Sequence, residues 1–389
     1  MLTSAIRKRL PILALALPLA AGTGVAVTAA VANAKQAASA QAEAENQQKL
    51  REYEAARKAF EREEDAYWSL VAQKRRARYA KRRDHQVIAL DDYVLTQPPV
   101  YTGPKRPPGF VPEPEQRQRQ QKIIPVVPDL VKAASDYYQW TPQRAASDVD
   151  FKRAYALYAA NAGLTREQAV RVYAFETGGN GTHASQSGFH GSHAISSAIG
   201  YNQLLTTNTV ELLAEQGEEF VKELTERSAT LAGPARRSLE HKIGVLKKMV
   251  ELATSVPDEW SEHEKIGDTP QGWALHAMVL DIDVGPMLQT HKLLTSVIFA
   301  RQKGFTRPLT AAELEMMNLT GDGTGLDMVT MPQAMREQVP TSNFFVRGGY
   351  ERNPVAIRHN TVAKLLAVTD SRMDANSSQP GARELAAVF

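Results

Sequence analysis

The sequence contains no cysteine among its 389 residues. Disulfide bridges, thiolate metal ligands and thiol nucleophiles are therefore excluded, and the fold must be held together by its core. Val, Ile, Thr and Tyr form no alternating runs of strand length, so the sequence does not indicate a β-sheet architecture. No second long hydrophobic run follows residue 34, which leaves the first 34 residues as the candidate targeting or membrane segment.

An excess of either charge is also lacking. There are 46 Lys and Arg against 43 Asp and Glu, which gives a net charge of +3, and so small a charge predicts no nucleic-acid partner. No glycine-rich phosphate loop follows a strand pattern, and no Gly-x-Ser-x-Gly or Ser/His/Asp arrangement is present. We therefore expect no cofactor and no serine-hydrolase site.

The first 34 residues have the pattern of an export signal. Basic residues at 7–9 precede an uncharged run from Leu10 to Ala34, and Ala32-Asn33-Ala34 matches an A-x-A cleavage site. We expect a cleaved signal peptide. An uncleaved inner-membrane anchor is the alternative, because the uncharged run is long enough to span a bilayer. Either one places the rest of the chain in the periplasm or cell envelope.

Residues 35–97 predict a long charged helix that is rich in strong helix formers, and the Pro-rich segment 98–128 predicts an extended linker. Apolar positions on one side of the helix suggest self-association as a coiled coil. The basic run Lys74–Arg83 predicts a solvated helix end or, alternatively, a contact with a membrane or an anionic envelope polymer. We expect this stalk to stand apart, so that a chain beginning at Pro125 folds without it.

Residues 129–374 predict one large, mostly helical domain, and residues 375–389 predict a flexible tail. Thr165 and Gln168 form a capping box before one helix, and Gly178 follows the end of that helix. Thr310 and Glu313 open a later helix in the same way. The predicted fold class is all-α.

Glu176 lies in the last turn of the first of these helices, and no other acidic residue follows until Glu211. The helix dipole and burial beside Tyr173 and Phe175 both disfavour the charged carboxylate. We therefore expect a raised pKa, which is what a general acid needs in order to donate a proton near neutral pH.

The residues around Glu176 resemble the signature of the lytic transglycosylases, which cleave peptidoglycan. Glu176-Thr177 is similar to the family's Glu-Ser, and residues 197–203, SAIGYNQ, are similar to its Gly-Ala-x-Gly-Leu-Met-Gln block. Residues 317–321, MNLTG, resemble its Tyr-Asn-Ala-Gly block, and Tyr350 a late tyrosine. The chain departs from the family at Ser197 and at positions 201–202, and an insertion rich in Gly, Ser and His lies before the second block.

The resemblance implies a lysozyme-like α-helical domain that acts on peptidoglycan glycan strands. Glu176 would be the single acid/base that cleaves the MurNAc-GlcNAc β-1,4 bond and leaves 1,6-anhydro-muramyl ends. Gly200 would allow close approach of the substrate, Tyr201 would stack on a sugar ring, and Asn318 would hold Glu176 or an N-acetyl group. The implied substrate-binding residues are Ser197, Gly200, Tyr201, Gln203, Asn318 and Tyr350.

Two other functions stay open. A hydrolytic muramidase would need a second carboxylate, which Asp281, Asp283, Asp322 or Asp327 could supply by folding back to the cleft. A catalytically degenerate peptidoglycan-binding or scaffold protein would use the fold without the chemistry. The histidines at 183, 190 and 193 predict a flexible polar loop rather than a zinc site, and TGDGTG (320–325) predicts a glycine turn, so no metal is expected.

Overall fold

The computed structural model describes residues 24–108, 123–190 and 193–389, and these residues are mostly helical. The two strands, β1 (Phe189–His190) and β2 (His193–Ala194), form a short antiparallel hairpin. The predicted all-α class is therefore confirmed. The helices are α1 Gly24–Arg83, α2 Val127–Tyr138, α3 Asp148–Ala162, α4 Arg166–Thr177, α5 Thr206–Ala229, α6 Gly233–Ala253, α7 Trp260–Gly267, α8 Pro270–His276, α9 Val284–Gln302, α10 Ala311–Thr320, α11 Asp322–Thr330, α12 Gln333–Arg336, α13 Arg347–Glu351, α14 Pro354–Arg358, α15 Val362–Ser377 and α16 Pro380–Val388.

The chain divides into two compact units, Met1–Glu64 with Pro99–Glu115 and Asp65–Pro98 with Gln116–Phe389. In the described part of the first unit, the ring of Tyr101 lies edge-on against Tyr53 and Phe60 of α1, at centroid distances of 6.3 Å and 5.4 Å. Part of the predicted linker thus packs on the helix instead of extending freely. The apolar side on which coiled-coil association was predicted is contacted by the chain itself, and self-association stays a prediction.

The second unit includes the end of the predicted stalk. Val71 of α1 and Tyr93 and Val94 of the following segment are buried, and the hydroxyl of Tyr67 lies 2.6 Å from Ser342 Oγ. The expectation that the whole stalk stands apart is therefore wrong for residues 65–98. Their apolar side chains complete the core of this unit, which the helix-former composition alone does not reveal.

The basic run Lys74–Arg83 docks α1 onto this unit. The Arg78 side chain is 0% exposed, and its Nε donates to Asp327 Oδ2 at 2.9 Å. Arg82 Nη2 lies 2.7 Å from Asp327 Oδ1. The prediction of a solvated helix end is wrong for Arg78, whose buried charge is balanced by Asp327, whereas Arg83 at the end of the run is exposed. The contact with a membrane or an anionic polymer stays a prediction.

The predicted caps of α4 and α10 are confirmed. Thr165 Oγ1 accepts the Gln168 N–H at 3.1 Å, and Gln168 Oε1 accepts the Thr165 N–H at 3.0 Å. Gly178 ends α4 with φ of +64°, a left-handed conformation that glycine adopts without strain. Thr310 and Glu313 cap α10 in the same reciprocal way. Thr165 and Gln168 fix the start of α4 and Gly178 fixes its end. Glu176 therefore lies in the last turn of α4.

The predicted flexible tail is instead helix α16. Ala382 and Leu385 are buried, and the Ala382 N–H donates to Gly179 O at 2.8 Å. Gln379 and Pro380, a polar residue followed by proline at the helix start, were a signal for this helix in the sequence. The tail therefore packs on the turn that follows Glu176.

Helix α9 lies between two apolar clusters. Its first half belongs to a cluster that includes residues of α2, α5, α6 and α8, and its second half to a cluster that includes residues of α3, α4, α10 and α16. Lys292, Thr295 and Ser296 share one side of α9 because residues three and four apart are neighbours on a helix. That side faces a cavity.

No helix in the described part of the chain is both long and apolar enough to cross a bilayer. Residues 1–23, which make up most of the predicted signal segment, lie outside the described residues. Residues 24–34 form the start of α1. Export and anchoring therefore stay predictions.

Candidate active site

A cavity of about 540 Å³, here called the central cavity, lies between α5, α9, α10 and α11. Three polar residues of α5 follow helical spacing and face it together. Its polar and charged lining residues are Asn208, Glu211, Glu215, Lys292, Thr295, Ser296, Asn318 and Asp322. So dense a set of titratable groups in a concave site is typical of a catalytic or binding centre.

Glu176 lies behind the wall of the central cavity. Asn318, which lines the cavity, donates from Nδ2 to Glu176 Oε1 at 3.2 Å. The same Nδ2 lies 3.4 Å from Glu315 Oε2. The structure thus places Asn318 in the first of its two expected roles, as the residue that holds the carboxylate of Glu176.

Burial raises the pKa of Glu176 to about 7, and the positive charge of Lys292 and hydrogen bonds from Glu315 and Asn318 oppose the rise. Burial in turn lowers the pKa of Lys292, while the surrounding acids raise it. The direction expected from the sequence is therefore found, with burial as the largest cause. A carboxyl with this pKa is still largely protonated just below neutrality, as a general acid must be.

Glu315 is a second carboxyl that the sequence reasoning missed. Its side chain is buried, and burial followed by the charge of Glu176 raises its pKa well above the usual range. The hydrogen bond between the two carboxyls also favours the protonated form of Glu315. The available signal was its position three residues before Asn318, which puts both side chains on one side of α10.

Three more acids reach the central cavity from outside the motif. Burial raises the pKa of Glu211 and of Asp322. Partial burial, and then the charge of Glu211, raise the pKa of Glu215 to about 7. The stretch after Glu176 is free of acids along the chain, but folding brings carboxyls from α5, α10 and α11 to the same place.

Of the four aspartates considered for a second carboxylate, Asp322 lines the cavity. Asp281 is buried against Lys242 Nζ at 2.9 Å, and Asp283 pairs with the same ammonium. Asp327 holds Arg78 at 2.9 Å. These three aspartates are structural ion-pair partners, because each balances a cation inside the fold.

The second motif block does not line the central cavity, and most of its residues are buried. Tyr201 is fully buried and donates to Asp148 Oδ1 at 3.1 Å, so it cannot stack on a sugar ring. Gln203 Nε2 donates to Ser185 O at 3.2 Å and to Gly200 O at 2.7 Å. The predicted stacking of Tyr201 on a sugar is therefore wrong, whereas Gln203 is tied to the loop and its substrate role stays a prediction.

Tyr350 and Ser197 also lie apart from the central cavity. Tyr350 is buried against Trp68 at a centroid distance of 5.6 Å, so its predicted contact with substrate is wrong. Ser197 Oγ accepts the Thr206 N–H at 3.2 Å near the start of α5. Ser197 lines a second cavity of about 400 Å³, here called the side cavity.

Gly200 is needed for packing rather than for approach of a substrate. Its φ is +85°, and a Cβ there would lie 2.0 Å from Gln289 Nε2. We expect Gly200→Ala to lower the free energy of unfolding by about 2–4 kcal/mol, since left-handed strain and overpacking both apply. Urea unfolding measures this loss.

Gly304→Ala is the matched control for Gly200→Ala. Gly304 has a φ of +84° but no atom within 4 Å of an added Cβ, so this variant has the backbone strain alone, about 1–2 kcal/mol. The cost of the clash at Gly200 is the difference between the two losses in the free energy of unfolding. Equal losses would contradict the packing contact with Gln289.

The inserted loop is tied to the fold at His183. Its Nδ1 lies 3.0 Å from Asp148 Oδ1, and its ring stacks on Phe151 at 4.6 Å. The expectation of a flexible loop is therefore wrong at this residue, whereas the side chains at 190 and 193 lie outside the described residues. Across the described ranges, no three His, Asp or Glu side chains are grouped so that they could hold a metal ion.

Comparisons with protein-family models, with curated proteins and with solved structures found no match to this chain. The similarity to lytic transglycosylases therefore rests on the motif residues in the sequence. The geometry around Glu176 stands independently of that similarity.

Proposed function

We propose that this protein is a lytic transglycosylase that cleaves the glycan strands of peptidoglycan, with Glu176 as its acid/base. The observation that carries the proposal is the Glu176 carboxyl itself. It lies at a helix end beside a cavity, is held by Asn318 at 3.2 Å, and has a pKa raised to about 7. Lys292, Asn318 and Glu315, which surround this carboxyl, support the proposal further.

In the first step, the protonated Glu176 donates its proton to the glycosidic oxygen, and the bond from that oxygen to the anomeric carbon breaks. The sugar's own 6-hydroxyl then attacks the anomeric carbon and gives its proton to the Glu176 carboxylate. The products are a 1,6-anhydro sugar and a free hydroxyl, and Glu176 ends protonated again. Lys292 and Asn318 are placed to stabilise the carboxylate between the two steps.

The state of Glu315 favours this one-carboxylate route. A retaining glycosidase needs an ionised nucleophile about 5 Å from its acid, and burial together with the charge of Glu176 disfavours the ionised form of Glu315. An inverting hydrolase would need Glu211, Glu215 or Asp322 as an ionised base. Burial raises the pKa of each of these carboxyls and so disfavours the ionised form that a base requires.

Peptidoglycan lies outside the cytoplasm, so the proposal requires export. The signal pattern in residues 1–34 supplies a route to the periplasm or envelope, either as a cleaved signal peptide or as an anchor. N-terminal sequencing of the envelope form should give a mature end at Lys35. A retained Met1 in the membrane fraction would instead indicate the anchor.

We expect the rate of cleavage to fall as the pH rises through about 7, because the proton needed for the first step is then lost from Glu176.

A raised pKa also means that the folded state binds this proton more tightly than the unfolded state. The contribution of Glu176 to the free energy of unfolding is therefore full below the ordinary Glu pKa of about 4.3 and is lost as the pH rises through about 7. Glu176→Gln should therefore gain melting temperature relative to the parent chain between pH 5 and pH 8. A difference that does not change with pH would contradict the raised pKa.

Incubation of the protein with purified insoluble peptidoglycan tests the proposed activity. We expect soluble glycan fragments to appear with time. A binding or scaffold protein would sediment with the polymer and release no fragments, and that result would contradict the proposal.

A further inference from the structure

The side cavity and the central cavity share two residues, Leu205 and Trp260, in their walls. The central cavity lies next to Glu176, and the side cavity is lined by Ser197, Trp273 and Arg352 among others. The two cavities, about 540 Å³ and 400 Å³, therefore adjoin one another at Leu205 and Trp260.

Trp260 is the first residue of α7, and its side chain is 46% exposed. A large aromatic residue normally buries most of its surface, so this exposure at the junction of two cavities needs an explanation. Tyr201, the aromatic residue expected to meet a sugar ring, is buried and unable to do so. Trp260 is the aromatic residue placed between the two cavities.

We infer that Trp260 is the sugar-stacking residue of the site and that the two cavities form one groove for consecutive sugar units. This inference rests on the proposed function, and it makes Trp260 the residue that determines preference for longer strands. A pyranose ring has an apolar face, which packs on an indole, and hydroxyl groups at its edge, which need polar partners. Polar groups line both of the cavities that Trp260 borders: Asn208 and Thr295 in the central cavity, Ser197 and Thr206 in the side cavity.

The test uses the full chain carrying Glu176→Gln, so that ligands are bound without being cleaved. Calorimetry gives the Kd for N-acetylglucosamine oligomers from the disaccharide to the hexasaccharide. We expect affinity to rise with length, and Trp260→Ala to weaken hexasaccharide binding about tenfold, which corresponds to loss of one stacked aromatic contact. Trp260→Phe keeps a ring and should recover most of the affinity.

Leu157→Ala is the surface control, because Leu157 is also a large exposed side chain, at 66%, and lines neither cavity. It should leave every Kd unchanged. An unchanged hexasaccharide Kd in a folded Trp260→Ala variant, or no binding of any oligomer by the Glu176→Gln chain, would overturn the inference. Cleavage is measured separately on the unmutated chain, so a chain that binds oligomers through Trp260 but releases no fragments would refute the proposed function alone.

Discussion

Replacement of Glu176 by Gln should abolish cleavage while leaving the fold and glycan binding intact. Glutamine keeps the shape of the side chain and can still contact Asn318, but it has no proton to transfer. General acid/base catalysis typically contributes about 10²- to 10⁴-fold. One group serves both steps here, so we expect a loss at or above the upper end of that range in the release of soluble fragments.

Glu167→Gln is the control within the same helix. Glu167 is exposed and pairs with Arg171 at 3.3 Å, far from the C-terminal turn that carries Glu176. It should keep the parental rate, since an exposed ion pair contributes little. Near-normal turnover by Glu176→Gln would contradict the assignment and favour the scaffold alternative.

Replacement of Arg78 by Met should lower the free energy of unfolding by about 3 kcal/mol or more. The guanidinium is fully buried, donates to Asp327 and to the carbonyls of Asp92 and Asn343, and lies over the Tyr93 ring at 4.3 Å. Removing one partner of a buried ion pair leaves the other poorly compensated, at a typical cost of about 3–5 kcal/mol. Arg82 still contacts Asp327, which keeps the loss near the lower end.

Arg83→Met is the matched control, taken from the same basic run. Arg83 pairs with Asp84 at 3.0 Å, and both side chains are exposed, so its loss should stay within about 0.5 kcal/mol. Urea unfolding of the two variants compares the free-energy cost of losing a buried ion pair with that of losing an exposed one. Equal effects would mean that α1 does not need the buried arginine. A chain beginning at Pro125 lacks the whole contact, so we now expect it to fold poorly.

Local signals in the sequence predicted local structure well. The capping residues Thr165 and Thr310 and the glycine at 178 mark the helix ends where the structure has them. Cap chemistry depends on neighbours within a few residues, so it can be read along the chain. The direction of the Glu176 pKa shift was also predicted, but its largest cause is burial, which depends on the packing of other helices against α4.

Long-range contacts were not predictable in that way. Glu315 reaches Glu176 only when α10 packs on α4, and Arg78 reaches Asp327 across most of the chain. Tyr201 matched a motif position but is buried among Phe151, Tyr155 and Tyr173. Motif spacing predicts which residues lie near one another in sequence, whereas burial is decided by helices that the motif does not include.

The central claim is that Glu176 acts without water, and the fate of oxygen tests it most directly. Peptidoglycan is digested in water labelled with heavy oxygen, and the new glycan ends are analysed by mass spectrometry. We predict 1,6-anhydro ends that carry no label, because the sugar's 6-hydroxyl is the nucleophile. Reducing muramic ends that carry the label would contradict the claim and identify a hydrolase, with Glu211, Glu215 or Asp322 as the base to be found.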